Sequence, residues 1–410
     1  MNLEIITVGT ELLLGFTLDT NGAELGRGLS AAGIRVVRRT SVADRPGEIR
    51  EAVAAALSRT GAVITTGGLG PTRDDITKQV VAEIYGWPLE FNERLWQELV
   101  ERYRRRGRVP AESNRSQAEV PRGALVLPNR WGSAAGLWLE GEPGLVIMLP
   151  GVPLEMRNLF AAEVAPRLAA RAAASGVIRS RSVRVTGIPE STLAERLGEI
   201  ESAIAPLSLA YLPDLDGVDL RVTAWGLPAA DADGRLSRAV AELRARAGDV
   251  VYGEDGADLA ALVLDRARAL GLRIAVAESC TGGLLGARLT EIPGSSDVFA
   301  GGVIAYDNAV KTAQLGVGSD LLAAEGAVSG PVAAAMAQGA AERFGVDLAV
   351  SVTGIAGPGG GSESKPVGTV WFGLAGRGGK GAVHSMFGGT RSEIRYRAAQ
   401  AALFLLFRRL

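Results

Sequence analysis

The sequence predicts an α/β chain in three parts: a doubly wound parallel sheet first, a small α+β module in the middle, and a second α/β unit last. Three observations predict it. At 410 residues the chain exceeds one ordinary hydrophobic core. Apolar strand-like runs alternate with helix-periodic ones at both ends, the pattern of parallel strands joined by helical crossovers. Between them, near Pro166, the text changes to RLAARAAASGVIRSRSV, an Ala- and Arg-rich helix leading into a new unit. The expected domains are 1–168, 175–252 and 253–410.

In the first part LEIITVG reads as a strand, TNGAELGRGLSAAG as a helix, IRVVRRTSV as a strand, GEIREAVAAALSR as a helix and AVITTGG as a strand. Such an arrangement places ligands at the C-terminal ends of the strands, where the glycine-rich turns fall. The middle part offers two strand-like runs, RSVRVTG and VDLRVTAWG, and two helical ones, STLAERLGEIESAI and GRLSRAVAELRARAG. With no metal-ligand cluster or nucleophile constellation, it is expected to serve as a spacer or dimerisation module. The third part runs helix ADLAALVLDRARALG, strand LRIAVAES, helix TGGLLGARLTEI, strand FAGGVIAYD and helix PVAAAMAQGAAERF. Strands DLAVSVTG and GTVWFGLAG follow, and helix RSEIRYRAAQAALFLLFRRL closes it; the apolar AALFLLF is too short to span a membrane and is expected to pack on a sheet.

A hydrophobic fraction of 47% with 22% charged residues is that of a globular protein, and a net charge of −1 argues against a polyanionic partner, so nucleic acid is not expected. One cysteine forms no internal disulfide, MNLEIITVGTELL has no basic leader, and no apolar run reaches spanning length, which together point to the cytoplasm and away from a membrane. The cations are mostly arginine; only Lys78, Lys311, Lys365 and Lys380 are lysines. A lysine kept among arginines has one distinctive ability, the loss of its proton.

TTGGLGPTRDDIT, Thr65 to Thr77, ends a buried strand in glycines and delivers Asp74 and Asp75 at a helix start. Glycines let backbone amides approach a phosphate, and the helix N-terminus favours an anion. A carboxylate pair beside phosphates commonly holds a divalent cation; the plainer alternative is an N-cap on a glycine-rich turn. Glu11, Asp19, Asn21 and Asp44 lie at the ends of neighbouring elements, which favours a site.

AESCTGG poses a second question, because Ser279 and Cys280 stand side by side before a small-residue helix start while the only histidine, His384, lies in the strand-like GAVHSMF. A serine needs a base to attack an amide, and neutral lysine is a known substitute for histidine. AYDNAVK supplies Tyr306 and Lys311 at a strand–helix junction. The helix start after Ser279 would offer amides to a developing oxyanion. Cys280 is the rival nucleophile, since a helix N-terminus lowers a thiol's pKa, although a lone cysteine is more often a small buried residue.

The motifs GTELLLG, DTN, TTGGLGPTRDDIT, ESNRSQA and LPGVPLEM in the first half, with AESCTGG, AYDNAVK, TGIAGPGGG and KPVGTVWF in the second, resemble in that order the CinA family of competence- and damage-inducible proteins over the whole chain. For the first part the resemblance implies a MoaB-like fold, similar to molybdopterin-binding domains, and a metal-dependent ADP-ribose pyrophosphatase releasing AMP and ribose 5-phosphate. Asp74 and Asp75 would handle a divalent metal and water, Gly67, Gly68 and Gly70 would shape the phosphate cradle, and Asn114, Gln117, Pro150, Gly151 and Glu155 would line the cleft. For the last part it implies a deamidase, needing no cofactor, that converts nicotinamide mononucleotide to nicotinic acid mononucleotide and ammonia. Ser279 would be the nucleophile, with Lys311 and Tyr306 as proton-transfer partners in an order the sequence leaves open. Thr281, Gly282 and Gly283 suit close substrate approach, Ser296 would stand near the reacting group, and Arg391 would contact substrate, with guanidinium geometry suited to phosphate. Read from the residues alone, the glycine-rich TGIAGPGGGSESKPVGT after a strand is either a mobile loop, as expected for its tip at 359–364, or substrate-lining, as expected for Thr353, Gly354 and Gly357. Lys365 would serve loop structure or substrate charge, and His384 a structural role. The resemblance also implies a homodimer. Two other readings are a first half that binds a pterin or nucleotide without turnover, and an interaction factor in competence or DNA damage.

Overall fold

The computed structural model describes residues 1–172 and 176–410, so the expected domain start at residue 175 lies outside the described residues. The chain gathers into two compact units, Met1–Arg179 with Ala224–Arg235, and Ser180–Thr223 with Leu236–Leu410.

The first unit is built on β1 (Asn2–Val8), α1 (Thr20–Ala31), β2 (Arg35–Val42), α2 (Pro46–Thr60), β3 (Ala62–Thr66), α3 (Thr77–Tyr85), α4 (Glu93–Arg105), β4 (Leu125–Leu127), β5 (Gly136–Gly141), β6 (Gly144–Leu149) and α5 (Pro153–Leu159). The sheet order is β2-β1-β3-β6-β5-β4. Its first four strands are parallel, β5 pairs antiparallel with β6, and β4 pairs antiparallel with β5. Period-two alternation explains how both faces are covered. Leu3 and Ile5 of β1 join Ile64 of β3 and Leu25 and Leu29 of α1 in one core, while Ile6 and Val8 join Val63, Val53 of α2 and Val80 of α3 in another. The doubly wound fold expected from the strand–helix alternation is therefore present.

The middle module consists of β7 (Val177–Val185), α6 (Glu190–Leu197), β8 (Ser208–Pro213), β9 (Val218–Leu227), α7 (Ala229–Ala247) and β10 (Val251–Glu254), with sheet order β8-β9-β7-β10. It has four strands where the sequence suggested two. The expected helix STLAERLGEIESAI also breaks: α6 stops at Gly198 (φ 57°), and a separate turn of helix covers Ile200–Ile204.

The C-terminal α/β part follows as α8 (Leu259–Leu270), β11 (Ile274–Glu278), α9 (Leu284–Thr290), β12 (Phe299–Ile304), α10 (Asn308–Leu315), α11 (Gly330–Phe344), β13 (Leu348–Gly354), β14 (Thr369–Gly376), β15 (Gly381–Met386) and α12 (Arg391–Arg409). Its sheet order is β12-β11-β13-β14-β15, parallel across the first three strands and antiparallel beyond. Local chemistry sets several helix ends. Asp307 caps α10 through the Ala309 amide at 2.7 Å and Gly316 ends it, while Thr390 and Glu393 form a capping box at α12. Ile274 and Val276 of β11 face α8, α9 and α12, whereas Ala275 and Ala277 face α10 and α11. The apolar end of α12 is buried there, with Leu403 and Leu406 fully covered. No helix among the described residues is long and apolar enough to cross a membrane.

Candidate active sites at two sheet edges

In the first unit the C-terminal ends of β3 and β6 meet where Gly67 N–H donates to the Leu149 carbonyl at 3.1 Å. Thr66 Oγ1 donates to the Pro150 carbonyl at 2.8 Å, and Asn21 Nδ2 reaches the Gly151 carbonyl at 2.7 Å. The glycine turn is tight enough to require its glycines. A Cβ on Gly67 (φ 106°) would stand 2.2 Å from the Val8 carbonyl oxygen, and one on Gly68 (φ 68°) would stand 2.0 Å from Thr77 Oγ1. A Cβ on Gly70 would lie 2.4 Å from an Asp75 carboxylate oxygen.

The acids at this edge are mostly engaged locally. Asp75 accepts from the Thr72 amide at 2.8 Å and from the Thr72 hydroxyl, Asp19 caps α1 through the Gly22 amide at 2.8 Å, and Asp44 accepts from the Thr10 amide at 2.8 Å. Asp74 is exposed, its carboxyl held low by the Thr72 hydroxyl. Glu11, Asp19 and Asn21 do converge on one cavity of about 110 Å³ with Thr66 and Gly151, and Asp44 is not among its walls. Among the described residues no group of three or more His, Cys, Asp or Glu side chains is placed to hold a metal ion. This edge does hold orphaned polar atoms: the Thr65 and Thr77 hydroxyls are buried without a hydrogen-bond partner among the described residues.

Lys78, which the motif did not single out, is the buried cation of this edge. It is 6% exposed, donates to the Ser116 carbonyl, and is pushed down to about 8 by burial, with Glu119 and Asp75 opposing. Ser116 belongs to the 3-10 segment Glu112–Ala118 that carries Asn114 and Gln117, so Lys78 joins that segment to the glycine turn. Asn114 is spent internally, accepting from the Ala111 amide at 2.9 Å and donating to Gln117 Oε1 at 2.9 Å. Gln117 in turn donates to Ser133 Oγ at 3.2 Å. Glu155 accepts from Asn129 at 2.7 Å, and burial raises its pKa. Asn129 and Ser133 line a second cavity of about 240 Å³ that also exposes Arg102 and Arg130.

In the C-terminal sheet, β11, β12 and β13 end together. Glu278 aligns with Ile304 and with Val352, the Ser279 amide continues the ladder to the Val352 carbonyl at 2.8 Å, and the Ala305 amide donates to the Glu278 carbonyl at 2.7 Å. Ser279, Tyr306 and Thr353 thereby share one edge. Lys311, one turn into α10, is 1% exposed and donates to the Tyr306 carbonyl at 3.2 Å. Desolvation lowers its pKa, opposed chiefly by the Asp307 carboxylate. Cys280 itself is buried in the apolar core and pushed up to about 12, the reverse of an activated thiol.

Tyr306 is exposed, and its hydroxyl accepts from Arg391 Nη2 at 2.9 Å; Arg391 Nη1 donates to the Gly357 carbonyl at 2.6 Å. Arg395, one turn on, donates to the Thr281 carbonyl at 2.7 Å, a contact the sequence did not suggest. Gly282 and Gly283 have φ of 60° and 95°. Thr353 is buried and donates to the Ala327 carbonyl at 2.8 Å, and Gly354 after it is half-buried. Lys365 donates to the Glu325 carbonyl at 2.8 Å, and His384 stands across from Trp371 with ring centroids 4.9 Å apart.

Two expectations need correcting. Ser296 lies in the turn Ser295–Asp297 just before β12, and Phe299 aligns with Ile274 at the start of β11, so Ser296 occupies the opposite end of the sheet from Ser279. The helix after Ser279 begins only at Leu284, and its first amides are taken: Glu278 accepts from Gly283 at 2.9 Å, Leu285 at 3.1 Å and Gly286 at 2.8 Å. They do not await an oxyanion.

Three family models match the chain: a probable molybdopterin binding domain over residues 4–170, the damage-inducible protein CinA KH domain over 180–253 and the CinA C-terminal domain over 256–410. A CinA-like protein of Gemmatimonas aurantiaca is 53% identical over 406 residues, covering 98% of this chain and 95% of that one. A CinA-like protein of Parasynechococcus marenigrum is 46% identical over 391 residues, 95% and 93% of the two chains. Among solved structures, the competence/damage inducible protein CihA from Agrobacterium tumefaciens is 46% identical, covers 37% of this chain and 92% of its own, and has a TM-score of 0.35.

Proposed function

Because the chain belongs to the CinA family, we propose that its C-terminal part hydrolyses the carboxamide of nicotinamide mononucleotide to nicotinic acid mononucleotide and ammonia. The observation that carries this is Lys311, an amine stripped of water at the sheet edge that ends in Ser279. Burial favours its neutral form, which is what a serine hydrolase lacking a histidine base requires. Ser279 Oγ attacks the amide carbon as its proton passes to Lys311 Nζ, directly or by way of Tyr306. The C–N bond then breaks, ammonia leaves carrying a returned proton, and water cleaves the acyl ester to restore Ser279. Arg391 holds the Tyr306 hydroxyl at 2.9 Å and so serves the proton path as well as any substrate phosphate. The start of α9 is filled by Glu278, so its amides are not the oxyanion donors of this proposal.

The test is ammonia release from nicotinamide mononucleotide by the full chain, comparing wild type with Ser279→Ala and Cys280→Ala. Activity that survives Cys280→Ala and vanishes with Ser279→Ala, the fold being intact, supports the serine amidase. No release by wild type overturns the substrate assignment.

For the first unit we propose metal-dependent hydrolysis of ADP-ribose. With Asp75 committed to Thr72, the acids fit an ion shared with substrate phosphates, as magnesium often is, and not a cage built by protein alone. A bound divalent ion would neutralise phosphate charge and polarise water. Binding of ADP-ribose without AMP release, with or without metal, would favour a nucleotide- or pterin-binding module instead. The net charge of −1 offers a polyanion no basic excess, so small nucleotides are the proposed ligands, and a salt-sensitive DNA complex would revive the interaction-factor reading. A homodimer remains part of the proposal, testable by light scattering.

A further inference from the structure

Glu278 closes β11, and its side chain turns back beneath the residues that follow. It is 2% exposed, and its partners are backbone amides: Oε2 accepts from Gly283 at 2.9 Å and Leu285 at 3.1 Å, Oε1 from Gly286 at 2.8 Å. Charge-assisted bonds of this kind, reinforced by the partial positive charge of a helix start, are what let a carboxylate stay buried. They also close a ring between the end of the strand and the first turn of α9, leaving residues 279–283 as a short tied loop. Inside it the Gly282 amide donates to the Ser279 carbonyl at 3.1 Å, and Arg395 holds the Thr281 carbonyl at 2.7 Å. The Thr281 hydroxyl is buried without a partner, a cost that the loop's other bonds must offset.

We infer that Glu278 is a positioning residue of the amidase: its buried carboxylate, bonded to the amides of Gly283, Leu285 and Gly286, fixes the loop that presents Ser279. This rests on the serine amidase reading. Glu278 touches no reacting atom and acts through the backbone. A glutamine there keeps one acceptor and turns an NH2 group against an amide, an alanine keeps none, and an aspartate keeps the charge on a shorter arm.

The experiment is steady-state ammonia release from nicotinamide mononucleotide by the full chain carrying Glu278→Gln, Glu278→Asp or Glu278→Ala, alongside hydrogen exchange of peptides spanning 279–286 and β13. Misplacing a nucleophile by about 1 Å costs on the order of 100-fold, so Glu278→Gln should lower kcat roughly 10- to 100-fold with KM within about twofold, Glu278→Ala more and Glu278→Asp less. Exchange over 279–286 should quicken about tenfold while β13 keeps its protection. A kcat within twofold of wild type for Glu278→Gln, or unchanged exchange over 279–286, overturns the inference. If wild type releases no ammonia the substrate assignment fails by itself, and the exchange arm still decides whether Glu278 ties the loop. Should glutamine unfold the whole sheet, Glu278→Asp gives the same comparison.

Discussion

Replacing Lys78 by methionine should make the first unit more stable near neutral pH and remove a pH dependence from it. The side chain is 6% exposed, and burial moves its ammonium from the ordinary 10.5 to about 8. At about 1.4 kcal/mol for each tenfold, holding that proton in the folded state at pH 7 costs roughly 3 kcal/mol relative to the unfolded chain. Methionine has the same unbranched reach without the charge, and it gives up the bond to the Ser116 carbonyl. Losing that bond costs about 1–2 kcal/mol, which leaves a net gain of about 1–2 kcal/mol at pH 7. The sign with pH is fixed by proton counting. Between about pH 8 and 10.5 the unfolded lysine holds a proton that the folded one has shed, so wild-type stability rises with pH across that window. The variant lacks this rise, and its advantage should disappear by pH 10.5. Urea titration of the full chain at pH 7 and pH 10, read by pulsed hydrogen exchange on peptides from β3 and α3, measures both effects. A variant less stable than wild type by 2 kcal/mol at pH 7, together with a wild type indifferent to pH across the window, would refute a desolvated ammonium.

Lys311→Arg keeps a cation that does not deprotonate, so ammonia release should fall at least 100-fold, the usual contribution of a positioned base. In wild type, the lowered pKa of Lys311 means that kcat rises with pH through that value and then levels, which a rate profile from pH 6 to 10 checks. Asp216→Ala removes the acceptor of Tyr396 Oη at 3.0 Å and the carboxylate 3.7 Å from Arg288, whose side chain is 10% exposed. Loss of that network should cost about 1–3 kcal/mol, read by denaturant titration of the second unit.

Much of the scaffold is legible in the sequence because buried parallel strands leave continuous apolar runs and their helices carry plain start and stop signals. β11 is buried throughout and was evident, whereas β8 alternates between exposed and half-buried positions and β10 is only four residues long, so neither rose above its surroundings. That Ser279 and Tyr306 lie at one sheet edge, with α10 and Lys311 starting just beyond, follows from where the motifs fall in the strand order. The same logic separates Ser296 from Ser279, since a residue that precedes a parallel strand sits at the edge opposite one that follows its neighbour. Glu278 could not be found by motif, because a glutamate beside glycines gives no hint that its carboxylate folds back on amides five to eight residues ahead. Lys78 left one faint signal, a lysine in a chain that otherwise prefers arginine. The cap that Asp19 forms and the bond from the Thr10 amide to Asp44 depend on side-chain direction, which spacing alone does not give.

The exposed segment Gly359–Ser364 divides the proposed amidase edge unevenly. Ser279, Tyr306, Lys311 and β13 precede it; β14, Arg391 and Arg395 follow it. A nick there would leave one fragment with Ser279 and the other with the guanidinium groups that bond Tyr306 and Thr281, held together by the antiparallel β13–β14 ladder. Turnover by such a pair would serve as a reporter of reassembly, and the chain could be split at that point into two complementing pieces.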